Sequence, residues 1–150
     1  MPEGENMSPV QTKTFVNCYA TATVIPEGFL ILPEDQLPNQ VSGLYELEPA
    51  KVELYSSAKQ EKGMKIKDIC EELKEKHVFP ANLLDFFLKT PWCIPEGFVE
   101  KRVLFWTIYR YFDNRYIRCL YFKENEWRWD AISLNNDLSS EENFSAVLAD

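Results

Sequence analysis

The stretch Lys101–Ser133, KRVLFWTIYRYFDNRYIRCLYFKENEWRWDAIS, decides how this chain folds. Arg102–Phe112 and Arg115–Lys123 are dense in β-branched and aromatic residues, and the polar pair Asp113-Asn114 divides them. That is the composition of two strands and the punctuation of a hairpin. A two-residue or a four-residue loop gives the same register, with Tyr111 opposite Tyr116 and Tyr109 opposite Arg118. One face then carries Leu104, Trp106 and Ile108 with Tyr121, Cys119 and Ile117. The other carries Phe105, Thr107, Tyr109 and Tyr111 with Phe122, Leu120, Arg118 and Tyr116. Both faces are largely apolar, which predicts a strand pair in the middle of a domain, covered on two sides.

After Glu124-Asn125-Glu126, the segment Trp127–Ser133 alternates as a third strand and completes an antiparallel β-meander over about 101–133. A two-residue turn sets Trp127 and Trp129 on the Phe122/Leu120 face. A three-residue loop sets them on the Tyr121/Cys119 face.

Upstream the period changes. Ile66, Ile69, Cys70 and Leu73 fall at i, i+3, i+4 and i+7, with Lys and Glu between them, which predicts an amphipathic helix. Glu71–Lys74 and Glu72–Lys76 are spaced to pair on its exposed side. Pro80 ends this helix near His77 or Val78 and suits the first turn of another. Asn82–Lys89 follows, apolar nearly all round. The expectation is a two-helix unit, about 65–89, packed on the sheet.

Before these helices, residues 1–11 read as a disordered leader. Thr12–Val24 is a strand candidate, Phe29–Leu32 a short return strand, and Val41–Glu48 and Lys51–Ser56 weaker strands divided by Pro49. At the other end, Ser139 with Glu142 forms a capping box for a short C-terminal helix burying Phe144, Val147 and Leu148. The fold class is therefore α+β, one domain over 12–150. A more continuous, barrel-like sheet is the alternative. The pentapeptide Ile-Pro-Glu-Gly-Phe occurs at Ile25–Phe29 and again at Ile94–Phe98. The residues after the two copies differ, which favours a turn sequence used twice over a repeated half.

The 150 residues carry a formal net charge of −8. The excess lies in the outer segments, −5 over residues 1–64 and −4 over 134–150, so a free phosphate backbone is repelled and general nucleic-acid binding is disfavoured. A helix-turn-helix reading of 66–89 fails on its second helix, which is apolar and offers one Lys. Met1–Ser8 has no secretory pattern, no run has the length of a membrane span, and Cys18, Cys70, Cys93 and Cys119 stand far apart. The expectation is a cytoplasmic chain with reduced cysteines, in which the sequon Asn143-Phe144-Ser145 is a coincidence.

The chemistry-bearing residues form no catalytic motif. His77 is the only histidine. Its nearest thiol in sequence, Cys70, lies two helical turns away, about 10.5 Å. Structural zinc prefers short-spaced ligand pairs, and isolated glycines cradle no phosphate. Glu71, Glu72 and Glu75 read as a solvated face. No catalytic residue, metal or cofactor is assigned.

The aromatic sheet face has the most functional content: if the turn after Lys123 is the two-residue one, Tyr109, Tyr111, Tyr116, Arg118, Trp127 and Trp129 combine rings with polar handles on it, as binding hot spots and ligand pockets do. The competing reading is that this face is core, covered by residues 66–89. The expected function is a small acidic protein-interaction module of inhibitor, immunity or accessory type, with a basic protein as partner and no membrane. A ligand-binding domain with a pocket at Tyr109, Arg118 and Trp129 is the alternative, and an enzyme using His77 the third.

Overall fold

A computed structural model describes residues 13–20, 24–56, 64–138 and 143–149. The 1–11 leader and the Ser139–Glu142 capping box lie outside them. The described elements are β1 (Phe15–Asn17), β2 (Leu44–Glu46), β3 (Val52–Tyr55), β4 (Met64–Lys65), α1 (Ile66–Glu72) and α2 (Ala81–Lys89). They continue with β5 (Arg102–Tyr111), β6 (Asn114–Lys123), β7 (Glu126–Ser133), β8 (Asp137–Leu138) and β9 (Asn143–Leu148). The fold is α+β, and its centre is a five-stranded sheet of order β3-β9-β5-β6-β7. Two-stranded pairs β1-β2 and β4-β8 flank it.

The meander is present. β5, β6 and β7 run antiparallel, with burial along almost the whole of β5. The hairpin turn, however, is Phe112-Asp113, one residue earlier than the Asp113-Asn114 expected. Tyr111 therefore stands opposite Asn114 and Tyr109 opposite Tyr116. A further irregularity between Phe105 and Tyr109 sets Phe105 opposite Arg118. Each change moves the pairing by two residues, and a two-residue slip leaves every side chain on its own face. Phe105, Tyr109 and Leu120 consequently share one core cluster, and Leu104, Trp106, Ile108, Ile117 and Cys119 share the other, as alternation predicts.

The C-terminal helix is corrected to a strand. β9 lies between β3, antiparallel, and β5, parallel, so the sheet is mixed. A helix-like spacing of Phe144, Val147 and Leu148 is overridden because β5, buried on both faces, requires a backbone partner on this side. Ser145 is drawn inside, where its hydroxyl accepts a hydrogen bond from Trp106 Nε1 at 2.9 Å.

The two helices pack on opposite faces of the sheet. Ile66, Ile69 and Leu73 of α1 join the Trp106 cluster, and Leu83, Leu84 and Phe87 of α2 join the Phe105 cluster. α1 stops at Glu72 and a single 3-10 turn, short of His77, because the next residues are needed as extended chain. Phe79 donates its N–H to Ala146 and accepts from the Trp106 N–H, so His77–Phe79 wedges between β9 and β5 and carries the chain from one face to the other. Thr107 Oγ1 then accepts the Ala81 N–H at 2.8 Å, satisfying one open amide at the start of α2. Of the two surface pairs expected on α1, Glu71–Lys74 forms at 2.8 Å. Glu72 instead accepts from the Tyr55 hydroxyl, and Lys76 lies over the Tyr55 ring.

In both Ile-Pro-Glu-Gly-Phe copies the Phe N–H reaches the Pro carbonyl. Gly28 has φ +86 whereas Gly97 lies in a 3-10 turn, and the flanking elements differ. The pentapeptide is a turn used twice in two conformations. The expected return strand at Phe29–Leu32 reduces to one bridge, Leu30 with Arg110.

The β6–β7 turn is Glu124-Asn125, both with positive φ (53° and 62°). That is a two-residue turn of the twisted type which prefers Asn-Gly, and a glutamate there is strained. Replacing both (Glu124→Asn with Asn125→Gly) should stabilise the chain by about 1 kcal/mol and raise the thermal midpoint by roughly 2–4 °C, read by a circular-dichroism melt.

Candidate functional site

The two-residue turn puts Phe122 opposite Trp127 and Leu120 opposite Trp129, so all six aromatic-face residues lie on one face of the sheet. They do not form one patch. Tyr109 and Arg118 come together inside with Trp129 lying over Arg118 at the surface, Tyr111 and Tyr116 surround Phe29 near the hairpin tip, and Trp127 packs on Phe122 with ring centroids 5.0 Å apart.

The inner group is organised by a residue outside the expected set. Arg118, 2% exposed, meets Asp85 of α2 with Nη1–Oδ1 at 2.9 Å. Its guanidinium lies 4.1 Å from the Trp129 ring centroid, and Nη1 donates weakly to the Tyr109 hydroxyl at 3.4 Å. Tyr109 in turn donates to the Val24 carbonyl. Asp85 was legible in principle, because a lone carboxylate in the otherwise apolar run Asn82–Leu88 requires a cation inside the fold.

This pair is incompletely satisfied. Among the described residues, Asp85 Oδ2 and Arg118 Nε are buried without a hydrogen-bond partner. Burial raises the Asp85 carboxyl above its ordinary range, opposed by Arg118 and by the Val24 backbone N–H. The native state thus holds this proton to higher pH than the unfolded chain does. Asp85 therefore favours folding at low pH, and that contribution is lost as pH rises from the ordinary carboxylate range through the raised native value. Burial likewise pushes the Tyr109 hydroxyl up.

The outer group is half-buried and runs out to the exposed hairpin tip. Phe112 is 81% accessible and has φ +55, a backbone conformation rarely adopted by an aromatic residue. Its ring touches Tyr111, which stacks on Phe29, and Gly28 lies under the Tyr111 ring, where a Cβ would come within 3.2 Å of Cε2. Val24, Ile25 and Leu30 are exposed beside this turn. By sequence Phe112 reads as an ordinary strand residue, because nothing local marks an aromatic as able to take a left-handed turn position.

On the opposite face, a cleft of about 620 Å³ opens between α1, the 34–38 loop and the hairpin, lined by Asp35, Cys70, Lys74, Asn114 and Arg115 among others. Asp35 is buried in its floor and holds Arg110 at 2.8 Å and Arg115 at 3.9 Å. Tyr109, Arg118 and Trp129 do not line this cleft.

His77 is exposed, and among the described residues its side chain has no hydrogen bond or ion pair. Burial pushes the Cys18, Cys70 and Cys119 thiols up to about 11, leaving them protonated at neutral pH. Among the described residues no helix is long and apolar enough to cross a membrane. Comparison of the chain with protein-family models, with curated proteins and with solved structures found no match.

Arg118→Met should cost about 3 kcal/mol at pH 7, because Asp85 is left as a buried, unpaired charge. The loss should shrink on acidification to the carboxylate range, where Asp85 takes up its proton, and urea unfolding at both pH values measures it. Replacing both partners (Asp85→Leu with Arg118→Met) should recover most of the loss.

Proposed function

We propose that this chain is a small acidic protein-binding module, of inhibitor, immunity or accessory type, that presents its β5–β6 hairpin tip to a protein partner with a basic surface. The carrying observation is Phe112, a nearly fully exposed aromatic held in strained backbone at the end of the longest hairpin. Strain of this kind persists where the surrounding structure enforces it, and it concentrates at functional positions. Tyr111, Leu30, Ile25 and Val24 supply the apolar area around it. Glu27, Glu34 and Asp113 contribute acidic charge to the neighbouring turns, in a chain of net charge −8. An exposed aromatic centre with a charged rim is the composition of a binding hot spot.

Phe112→Gly separates binding from folding. Glycine takes φ +55 without strain, so the thermal midpoint should hold or rise by roughly 1–3 °C. Capture of a protein partner at low salt should be lost in the same variant. Capture by the unmodified chain should weaken as salt rises. Equal capture by both chains would remove the hairpin tip from the function.

A second reading rests on the cleft, whose volume lies within the range of small-molecule sites. A polar, charged metabolite held there should raise the thermal midpoint of the unmodified chain. Arg115→Ala should abolish that shift, because Arg115 presents a half-exposed guanidinium at the cleft wall. A screen of such compounds without a shift removes this reading.

A further inference from the structure

β7 is the outer strand at one end of the five-stranded sheet, and its sequence does little to blunt that edge. Its eight residues include no proline or glycine, and its register against β6 runs without a bulge from Glu126 to Ser133. Its charges, Glu126, Arg128 and Asp130, sum to −1. Edges of this length are ordinarily interrupted by proline, a bulge or several lysines.

Which backbone groups are open follows from the turn. In a two-residue hairpin the flanking pair, here Lys123 and Glu126, exchanges both hydrogen bonds, and so does every second pair after it. Glu126, Arg128, Asp130 and Ile132 therefore direct their N–H and C=O at β6, and Trp127, Trp129 and Ala131 direct theirs outward. The Ala131 N–H agrees: it is bonded to the carboxylate of Asp130 at 2.9 Å, not to β6.

A second β7 satisfies these outward groups about a two-fold axis, the Ala131 N–H exchanging its own Asp130 carboxylate for a carbonyl of the second copy and so releasing Asp130, and the charges select the axis. An axis at Arg128 sets Arg128 against itself and Glu126 against Asp130, like charge on like. One at Asp130 sets that carboxylate against itself. One at Trp127 pairs Glu126 with Arg128 but overlaps only residues 126–128 before the turn. One at Ala131 overlaps 129–133 and matches no charges. An axis at Trp129 overlaps 126–132 and places Arg128 opposite Asp130 of the second copy twice. Those are non-hydrogen-bonded positions, where facing side chains are closest. Trp127, Trp129 and Ala131 then form the hydrogen-bonded pairs, and Trp129, 38% exposed over Arg118, meets its own counterpart. Among the described residues Arg128 is held only by exposed Glu124 and Glu126, contacts that a second copy can replace.

We infer that β7 pairs antiparallel with β7 of a second copy of this chain, about a two-fold axis at Trp129, joining the two sheets through reciprocal Arg128–Asp130 contacts. This surface is separate from the hairpin tip, so either reading stands if the other fails.

Sedimentation of the full chain over a wide concentration range tests it. The unmodified chain should dimerise, and the backbone amides of Trp127 and Trp129 should exchange hydrogen more slowly in the dimer. Arg128→Asp alone and Asp130→Arg alone should each weaken the dimer on the order of tenfold or more, because each sets like charges opposite one another. An equimolar mixture of the two variants should dimerise again, since every facing pair is then of opposite sign, and that recovery excludes misfolding as the cause. A chain that stays monomeric throughout overturns the inference. So do single variants that dimerise as well as the unmodified chain, or a dimer whose β7 amides are unprotected.

Discussion

β5 is buried on both faces, so each of its backbone N–H and C=O groups must find a partner inside the protein. One side is served by β6. The other side is served by a succession of segments. β9 pairs with residues 102–104, the carbonyl of Phe79 accepts from Trp106, and the Gln40 side chain donates to the Trp106 carbonyl. The Gln36 amide both donates to and accepts from Ile108, standing in for a strand residue, and Leu30 exchanges two backbone bonds with Arg110. Four distant parts of the chain are thereby fixed in position by the edge of one strand. An unmet amide there costs roughly 1–3 kcal/mol, which explains why a short C-terminal segment with helical spacing is taken as a strand.

That requirement also divides the helices. The segment His77–Phe79 passes through the gap where β9 and β5 separate, and so α1 and α2 reach opposite faces and each covers one apolar layer. α2 brings Asp85 down onto Arg118, and the centre of the aromatic face, Tyr109 and Arg118, becomes core around this ion pair. Three accessible features lie peripheral to this arrangement: the strained tip at Phe112, the outer edge of β7 and the cleft beside α1.

Much of the meander was legible in its residues. Alternation assigned the side chains of β5 and β6 to their faces, and that assignment survives two errors of register because both slips are even. The stripe Ile66, Ile69, Leu73 is buried as its spacing requires, and Cys70 is partly covered. The six candidate site residues do share a face, yet the sequence could not divide them into inner and outer groups, because Asp85 and Phe29 come from elsewhere in the chain. For Phe144–Leu148, local spacing pointed to a helix, and the unpaired side of β5 overruled it.

From α1 to β7 the sequence by itself determined where helices give way to strands and which side chains point the same way, since both follow from periods of two and 3.6 residues within a segment. Only the tertiary structure decided which face each helix covers, that β9 lies beside β5, and on which side of the meander Trp127 and Trp129 lie. The first two depend on backbone partners far apart in sequence. The last depends on whether Glu124 takes a left-handed conformation, which no pattern of hydrophobic residues encodes.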